Sequence, residues 1–301
     1  MSINTTANII SLDVGATKIR IGLLRDDYKI IKKQTFATPK KAKEVLNLID
    51  KGIKDFYTSK VKKINLGIAG QIDFKNGIVN FGPNFPKGLK NAPLKKILEK
   101  KFKRPVLIDN DAHCFTLGEA ILGQGKNFNF ILGMTLGTGI GGGIVINKKI
   151  LRGKNNITGE IGHQIIEIQG RKCGCGKRGC WEAYASGLAM VKLYQEITGQ
   201  KKNIFAIEKE FLGGNKKAKT VVKQTAHYLA IGISNLINIL NPEAIILGGG
   251  LINFKEFIEL AKREVNNFVL TSDLKRTPIL ITKLDGDAGL LGAALLNQNN
   301  F

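Results

Sequence analysis

One histidine and three closely spaced cysteines restrict the conformations open to the middle of this chain. They are His163, Cys173, Cys175 and Cys180, and the cysteines have C-x-C-x4-C spacing. Zn²⁺ takes four such nitrogen and sulfur ligands as a tetrahedron, and the glycines between the cysteines let the backbone turn the sulfur atoms toward one point. Because the protein supplies all four ligands, we expect a structural zinc site, not a catalytic one with an open position.

Two glutamates flank these metal ligands. Glu160 lies shortly before His163, and Glu182 lies shortly after Cys180. A histidine that binds metal through one ring nitrogen has its other nitrogen held in a fixed orientation. Two carboxylates and this imidazole can converge on a ligand with several hydroxyl groups. On this stretch alone, the two glutamates fit solvated loop charges equally well.

The size and composition of the chain indicate a globular protein. Its 301 residues suffice for one large or two medium-sized domains, and the 43% hydrophobic and 23% charged fractions are ordinary for such proteins. The polar N-terminus is unlike a signal peptide, and asparagine, proline and glutamate interrupt the most apolar region, so we expect no membrane span. Three of the four cysteines belong to the metal motif, which favours the reducing cytoplasm.

The strongly basic composition raises the question of a nucleic-acid partner. The net charge is +22, from 46 lysines and arginines against 24 aspartates and glutamates. The lysines are spread over many short groups without interleaved aromatic residues, and no helix-turn-helix or RNA-binding motif is present. We therefore expect solvated lysine-rich faces with weak, nonspecific affinity for polyanions and no specific nucleic-acid partner.

Short apolar runs alternate with helical patterns and glycine-rich turns along the chain. Strands followed by an alternation of helices and strands occur twice, which predicts two α/β lobes with a cleft between them. We place the N-terminal lobe at residues 1–112 and the C-terminal lobe, with the metal motif, at residues 113–286. The last helix, at about residues 287–301, is expected to pack back on the first lobe.

Two turns between predicted strands combine glycine with threonine. The first runs from Asp13 to Lys18 and the second from Leu136 to Gly143. The second contains the pattern G-x-G-x-x-G, but it joins two strands and no helix opens on it, which excludes a Rossmann dinucleotide site; no Walker A loop is present either. Glycine N–H groups and threonine hydroxyls bind anions, so one such turn in each lobe can clamp a polyphosphate from both sides.

A third glycine run, Gly248 to Gly250, can pass close to an adenine or a ribose. Together the three loops resemble those of the ribonuclease-H-like phosphotransferases, which include actin and the hexokinases. Six motifs occur in order along the chain: Asp13-x-Gly15-x-Thr17-Lys18, Asn110-Asp111-Ala112, Leu136-Gly137-Thr138-Gly139-x-Gly-Gly-Gly143, Gly159-Glu160-Ile161-Gly162-His163, Cys173-x-Cys175-Gly-x-x-Gly-Cys180-x-Glu182 and Asp287-Ala-Gly289-x-x-Gly292-Ala-Ala294. In these motifs the chain resembles in particular the ROK family (repressors, open reading frames and sugar kinases).

The resemblance implies an ATP-dependent sugar kinase that forms homodimers or homotetramers. The residues it assigns to the hexose are Gly70, Asn110, Asp111, Glu160, His163 and Glu182. The residues it assigns to ATP and its Mg²⁺ are Asp13, Gly15, Thr17, Lys18, Gly137, Thr138, Gly139, Gly248, Gly249 and Gly250. Two places depart from the family pattern and leave the sugar preference open: Gln71 replaces a common proline, and His113-Cys114 replaces asparagine followed by a small residue.

The chemistry of phosphoryl transfer to a hydroxyl group agrees with these positions. It requires positioned groups, neutralised charge and a base for the hydroxyl proton. Asp111 is our candidate base, because Asn110 is the better cap for the helix that follows and leaves Asp111 free. Asp13 would hold Mg²⁺ directly or through water. We interpret His113 as an ordinary helix residue and Cys114 as a core residue.

Three functions are compatible with the sequence. The first is a kinase that phosphorylates the 6-hydroxyl of glucose, with N-acetylglucosamine or N-acetylmannosamine as the alternative substrate, since only the space around the 2-substituent separates these sugars. The second is a sugar-responsive regulator, although the segment before Asp13 is too short for a helix-turn-helix. The third, a sugar-binding protein without catalysis, would lack the base or intact phosphate loops, and this sequence has both.

Overall fold

The computed structural model of the chain describes residues 7–81 and 87–297. Across this part of the chain there are twelve β-strands and nine α-helices. The strands are β1 (Ala7–Val14), β2 (Lys18–Arg25), β3 (Ile30–Ala37), β4 (Lys63–Ile68), β5 (Gln71–Asp73), β6 (Ile78–Phe81), β7 (Val106–Asn110), β8 (Phe130–Leu136), β9 (Ile140–Ile146), β10 (Lys149–Ile150), β11 (Ala244–Gly248) and β12 (Ile279–Ile281). The helices are α1 (Ala42–Phe56), α2 (Leu94–Phe102), α3 (Asp111–Ile121), α4 (Glu182–Ala185), α5 (Gly187–Thr198), α6 (Ile204–Leu212), α7 (Lys216–Leu240), α8 (Lys255–Val265) and α9 (Ala288–Leu295).

The described chain divides into two compact units, each built from separate segments. Unit 1 takes in the chain up to Asn129, then Gly143–Gly159, and then the chain from Thr282 onward. Unit 2 consists of Phe130–Gly142 and Glu160–Ile281. The chain therefore passes four times from one unit to the other.

The sheet of unit 1 has five strands in the order β3-β2-β1-β4-β7. β1, β2 and β3 are antiparallel neighbours, whereas β4 and β7 run parallel to β1. The short turn after β1 permits only an antiparallel pair, while α1 and α2 lie in the longer connections that parallel strands require. The register pairs Asp13 with Gly67 and Gly67 with Asp109. The carboxyl ends of β1 and β7, with Asp13 and Asn110, therefore lie at one edge of the sheet.

Helices cover both faces of this sheet. Ile10 and Leu12 of β1 are fully buried in a core shared with the apolar sides of α1 and α2. On the opposite face, the Ser11 hydroxyl donates a hydrogen bond of 2.6 Å to the carbonyl oxygen of Leu290 in α9. The alternation of side chains along β1 thus supplies an apolar face to one helical layer and a mixed face to the other.

Helices α3 and α9 approach each other through glycines. A Cβ atom at Gly292 would lie 1.6 Å from the carbonyl oxygen of Cys114, and one at Gly118 would lie 2.3 Å from the carbonyl oxygen of Ala288. No side chain fits at either position, so the backbones of the two helices touch. This contact fixes α3, and the residues at its N-terminus, against the layer that covers β1 and β4.

The second sheet has the order β10-β9-β8-β11-β12, and β8, β11 and β12 are parallel. The long helix α7 packs against α4, α5, α6 and α8 in unit 2. The fully buried indole of Trp181 lies against α7, where its Nε1 atom donates a hydrogen bond of 2.7 Å to the Tyr228 carbonyl oxygen. A Cβ atom at Gly232 would lie 2.0 Å from the indole ring. Among the described helices, α7 included, none has the length and apolar character to span a membrane.

Two segments belong to a different unit from the one that the sequence-based boundary at residue 112 predicted. In the structure α3 and the stretch Gly143–Gly159 belong to unit 1. Helix α3 belongs to unit 1 because it is buried on nearly every side there, against α9 on one side and against β4 and β7 on another. Helix α9 packs on α3, β1 and β4.

Candidate active site

The four predicted metal ligands bring one atom each to a common point in unit 2. Their ligand atoms all lie within 4.8 Å of one another. His163 Nδ1 is 3.8 Å from Cys173 Sγ, and Cys175 Sγ is 3.7 Å from Cys180 Sγ. Zinc–sulfur bonds of about 2.3 Å would place two tetrahedral sulfur ligands roughly 3.8 Å apart. The donor set and its spacing therefore fit one tetrahedral metal ion.

Glycines give the cysteine loop its tight course. The Cys173 N–H donates to the Lys177 carbonyl oxygen at 2.8 Å, and the Gly176 N–H donates back to the Cys173 carbonyl oxygen at 3.1 Å. Gly176 and Gly179 have φ angles of 92° and 79°, which side-chain-bearing residues rarely adopt. A Cβ atom at Gly179 would also lie 1.8 Å from the Glu167 carbonyl oxygen. These two glycines are thus required by the backbone itself.

The two glutamates that flank the ligands both lie beside them. His163 turns Nδ1 toward Cys173 and leaves Nε2 on the side of Glu160, 3.7 Å from its Oε2 atom. Glu182 Oε2 accepts a hydrogen bond of 3.0 Å from the Ile140 N–H, and its Oε1 atom lies 3.6 Å from Cys173 Sγ. The predicted sugar-binding residues of unit 2 are therefore gathered around the metal ligands.

Asn110 and Asp111 have separate tasks at the start of α3. The Asn110 side-chain oxygen accepts hydrogen bonds from the N–H groups of Ala112, at 2.8 Å, and His113, at 3.1 Å, and so caps the helix. Its amide nitrogen donates to the Gly70 carbonyl oxygen at 2.8 Å. The Asp111 carboxylate accepts a hydrogen bond of 3.0 Å from the Ala112 N–H at its Oδ1 atom. The Asp111 carboxyl is thus placed at the positive end of a helix without being used as its cap.

The environment of Asp111 sets its pKa close to neutrality. Burial of the carboxyl, followed by repulsion from the Asp13 carboxylate, raises its pKa to about 7. The Ala112 N–H and the charge of His113 act in the opposite direction. A carboxylate with a pKa near neutral pH can accept a hydroxyl proton in one step of a reaction and release it afterwards.

The first glycine–threonine turn links β1 to β2, as predicted. The Gly15 N–H donates to the Lys18 carbonyl oxygen at 3.0 Å, and the Thr38 hydroxyl donates to the Gly15 carbonyl oxygen at 2.8 Å. Thr17 and Lys18 are exposed. Thr38 therefore stabilises the turn through its backbone, while the Thr17 hydroxyl and the Lys18 ammonium group remain accessible.

Asp13 at the end of β1 already has a cationic partner. Arg20, its cross-strand neighbour on β2, donates from Nη1 to Asp13 Oδ2 at 2.8 Å. Burial, together with repulsion from Asp287, nevertheless raises the pKa of Asp13, although Arg20 lowers it. A cation at Asp13 would have to share the carboxylate with Arg20.

The second turn and the third glycine run belong to unit 2. The Gly137 N–H donates to the Gly139 carbonyl oxygen at 3.0 Å, and Thr138 is exposed. Gly249, with a φ angle of 87°, passes so close to β8 that a Cβ atom there would lie 2.3 Å from the Leu136 carbonyl oxygen. Within the described chain no atom lies within 4 Å of a Cβ built at Gly137 or Gly250, so a ligand can approach their backbone.

A buried polar network behind Asp111 was not anticipated from the sequence. Asp109 is fully buried and accepts hydrogen bonds from His113, Arg152 and Asn156. Burial alone would raise the pKa of Asp109, but the charges of His113 and Arg152 and the hydrogen bond from His113 lower it overall. The only signal of this network in the sequence is the departure at His113 from the family pattern.

Each unit holds its own share of the predicted site residues. Unit 1 carries the candidate base, the capping asparagine, Gly70 and the first turn. Unit 2 carries the metal ligands, both glutamates, the second turn and the third glycine run. The strand order of unit 1, with two glycine–threonine turns that each join a pair of strands, agrees with the α/β fold class predicted from the sequence.

Comparison with known proteins gives the family. A model of the ROK family matches residues 9–300, and the chain belongs to that family. A glucokinase from Thermotoga maritima is 34% identical over 95% of this chain and 96% of its own length. An N-acetyl-D-glucosamine kinase from Vibrio cholerae is also 34% identical, over 95% of this chain and 98% of its own. The family predicted from the sequence is thereby confirmed.

A solved structure agrees with the fold. The crystal structure of a ROK family glucokinase from Streptomyces griseus in complex with glucose and AMPPNP matches with a TM-score of 0.86 at 29% identity, covering 97% of this chain and 99% of that one. The predicted fold class is confirmed. All three of these relatives are named as sugar kinases, which is the class of enzyme predicted from the sequence.

Proposed function

We propose that this chain transfers the γ-phosphoryl group of ATP to the 6-hydroxyl of glucose, with Asp111 as the general base. The observation that carries the proposal is the state of Asp111. It lies at the N-terminus of α3, Asn110 caps that helix in its place, and its pKa is raised to about 7. Proton transfer is most efficient when the pKa of the base lies near the working pH.

The phosphate donor would be held by the two glycine–threonine turns. Thr17 and Lys18 offer a hydroxyl and an ammonium group, and Thr138 offers a second hydroxyl. The open backbone at Gly137 and Gly250 supports close approach by phosphate or nucleoside groups. Mg²⁺ would neutralise charge on the transferred group. We place Mg²⁺ on Asp13, either directly or through water, because Arg20 orients its carboxylate by a hydrogen bond to the Oδ2 atom, which leaves Oδ1 for the metal.

The sugar hydroxyls would be bound by Asn110, Asp111, Glu160, His163 and Glu182, with Gly70 beside them. A zinc ion bound by His163 Nδ1 and the three cysteines would fix the imidazole and support Glu182 through its neighbour Cys173. The zinc assignment is supported by sulfur separations that suit a tetrahedral ion. Its task in this proposal is structural.

Glucose and N-acetylglucosamine are the two substrates to be separated. Relatives named for each sugar are equally similar to this chain, at 34% identity. We favour glucose as the substrate because the glucokinase from Streptomyces griseus was crystallised with glucose, and its structure matches this chain along almost the full length. A cytoplasmic location and a homodimeric or homotetrameric state, with ATP as the nucleotide partner, belong to the same proposal. Three thiols at one metal site support the reducing compartment.

The test is ADP release from Mg·ATP by the purified, zinc-loaded protein with a panel of sugars. The panel holds glucose, N-acetylglucosamine, N-acetylmannosamine, mannose, fructose and allose. We expect kcat/KM for glucose to exceed the others by at least about tenfold, as a pocket shaped around the 2-hydroxyl would give. A preference for an N-acetylated hexosamine would contradict the choice of glucose but would support the proposed phosphoryl transfer. Sugar binding by calorimetry without turnover on any sugar would contradict the kinase and favour a binding or regulatory protein.

A further inference from the structure

The imidazole of His113 meets a hydrogen-bond acceptor at each ring nitrogen. Nδ1 is 3.0 Å from Asp109 Oδ1, and Nε2 is 2.7 Å from the carbonyl oxygen of Thr158. A carbonyl oxygen can only accept a hydrogen bond, and a neutral imidazole has only one N–H to donate. Both contacts are therefore satisfied together only when both ring nitrogens carry a proton.

The carboxylate of Asp109 is arranged to face a cation. Its Oδ2 atom accepts from Arg152 Nη2 at 2.7 Å, and its Oδ1 atom accepts from the Asn110 N–H at 2.8 Å and from Asn156 Nδ2 at 3.2 Å. These three donors together with His113 occupy the acceptor sites of an ionised carboxylate. Asp109 and His113 are 0% and 2% exposed, so both side chains are shielded from bulk water.

We propose that His113 is held as an imidazolium behind Asp111, and that its charge lets the Asp111 carboxyl ionise at a lower pH than it would beside a neutral residue. His113 is thus a positioning residue, since it acts through Asp111 and does not touch substrate. The kinetic part of this inference rests on the proposed function of Asp111, whereas the protonation of His113 does not.

The charges around His113 decide the sign of its effect. Asp109 of β7 contributes one negative charge, while His113 of α3 and Arg152, in the loop after β10, contribute one positive charge each. The Arg152 guanidinium also stacks 4.0 Å above the Phe74 ring. These three residues together carry one excess positive charge, two residues from Asp111. Their effect on Asp111 opposes that of the Asp13 carboxylate at the end of β1, whose repulsion raises the pKa of Asp111. Burial lowers the pKa of His113, but the Asp109 charge and the hydrogen bonds from the ring raise it overall, and the His113 charge lowers the pKa of Asp111.

The direct test observes the ring nitrogens in the intact, zinc-loaded protein. The chain has three histidines, so ¹⁵N-histidine labelling and long-range ¹H–¹⁵N spectra resolve each ring. His113→Asn and His227→Asn assign two of them by loss of signal. We expect both nitrogens of His113 to stay protonated across about pH 6 to 8, above the ordinary histidine pKa of about 6.5. A neutral tautomer of His113 at neutral pH would overturn the proposal, whether or not the protein has kinase activity.

The kinetic test compares His113→Asn with the wild type. Asparagine can still donate to Asp109 but carries no charge, so the pKa of Asp111 rises and the acid limb of the kcat/KM profile moves to higher pH. A shift of about one pH unit would reduce kcat/KM near pH 6 about tenfold and leave it within about twofold near pH 8.5. His227→Asn is the control, because His227 is an exposed residue of α7 paired with Glu264.

The outcomes separate this inference from the proposed function. An equal loss at every pH in His113→Asn would show a structural role only and contradict the effect on Asp111. An imidazolium in the spectra of a protein without kinase activity would leave the first half of the inference standing and contradict the proposed function instead. An unchanged profile in His113→Asn, with the wild-type ring charged, would overturn the electrostatic half.

Discussion

At the scale of single residues, the two neighbours Asn110 and Asp111 show how one helix start can serve both folding and chemistry. An aspartate at this place would ordinarily cap the helix, and its charge would then be neutralised by backbone N–H groups. Here Asn110 takes the cap through the N–H groups of Ala112 and His113. Asp111 is therefore not needed as the cap, and burial together with the Asp13 charge raises the pKa of its carboxyl to about 7.

Asp111→Asn should nearly abolish turnover while leaving sugar binding in place. The amide keeps the shape and the contact with the Ala112 N–H but cannot take a proton, and general-base catalysis contributes about 10²–10⁴ in kcat. Coupled ADP release gives kcat, and calorimetry gives the sugar affinity. Asp273→Asn, at an aspartate whose side chain is 85% exposed, is the control. Normal turnover in Asp111→Asn would end the assignment of the base.

The same carboxyl should lower the stability of the folded protein at alkaline pH. Its folded pKa of about 7 lies above the ordinary 3.8, so the folded state binds the proton more tightly than the unfolded chain does. The stabilisation from this group is therefore complete below the unfolded pKa and is lost as the pH rises through the folded pKa. We expect Asp111→Asn to have a higher Tm than the wild type near pH 8, with the difference shrinking toward about pH 4. A constant difference in Tm across that range would contradict the raised pKa.

At the scale of elements, the loop that carries the three cysteines of the proposed zinc site is attached to the long helix α7. Trp181 follows the last cysteine directly and is fully buried against α7 at Gly232. Glu182 is the first residue of α4. One of its carboxylate oxygens accepts a hydrogen bond from the Ile140 N–H, and the other lies beside Cys173 Sγ. The position of Glu182 is thus set from one side by the core and from the other by the metal ligands.

Cys175→Ser should release the metal and weaken sugar binding. Loss of one of four ligands removes most of the affinity for a structural zinc, and with it the fixed orientation of the His163 ring. Metal analysis should give about one zinc per wild-type chain and far less in the variant, with a sugar Kd raised about tenfold or more. Cys114→Ala, at the thiol outside the cluster, should keep its zinc. Unchanged sugar affinity in a zinc-free protein would show that the cysteine loop does not shape the site.

Gly292→Ala should destabilise the protein through the contact between α3 and α9. The added Cβ would lie 1.6 Å from the Cys114 carbonyl oxygen, so the two helices must move apart. Overpacking of this kind costs about 1–3 kcal/mol or more of unfolding free energy. Chemical denaturation measures the loss. Gly174→Ala, at a glycine with no described atom within 4 Å of its Cβ, should change stability little, and equal effects of the two substitutions would contradict this reason.

Local sequence signals predicted the two turns between strands and pointed to the cluster of His163 with three cysteines, but they did not predict the network behind Asp111. The Gly–Thr turns, the Asn110 cap and the cysteine spacing depend on residues that are neighbours in the chain. Arg152 reaches Asp109 across 43 positions, and no local pattern announces such a contact. His113 was interpreted as an ordinary helix residue for the same reason. Its partner Thr158 contributes a backbone carbonyl oxygen, and because every residue type has that group, the sequence does not indicate such a contact.

At the scale of the whole molecule, the charge of +22 is the property that acts at long range. The ion pairs of the described residues use only part of the basic excess, and many lysines are exposed. Such a surface attracts polyanions at low ionic strength without recognising any sequence. This attraction is independent of the chemistry at Asp111.

Binding to duplex DNA should be weak, sequence-independent and steeply sensitive to salt. Each phosphate contact releases counterions, so the logarithm of the binding constant should fall linearly with the logarithm of salt concentration. Fluorescence anisotropy with two unrelated duplexes measures this slope, and we expect equal affinities that vanish near physiological salt. Affinity for one sequence that survives physiological salt would instead indicate a regulator.

The last helix of unit 1 has a consequence for how the protein is made. Ribosomes add about 5–20 residues per second, so tens of seconds separate the emergence of β1 from that of α9. During that interval the face of the first sheet that carries Ile9 and the Ser11 hydroxyl lacks the residues of α9 that pack on it in the folded protein. The first unit of a nascent chain therefore stays incompletely folded, or is shielded by a chaperone, until α9 has left the ribosome.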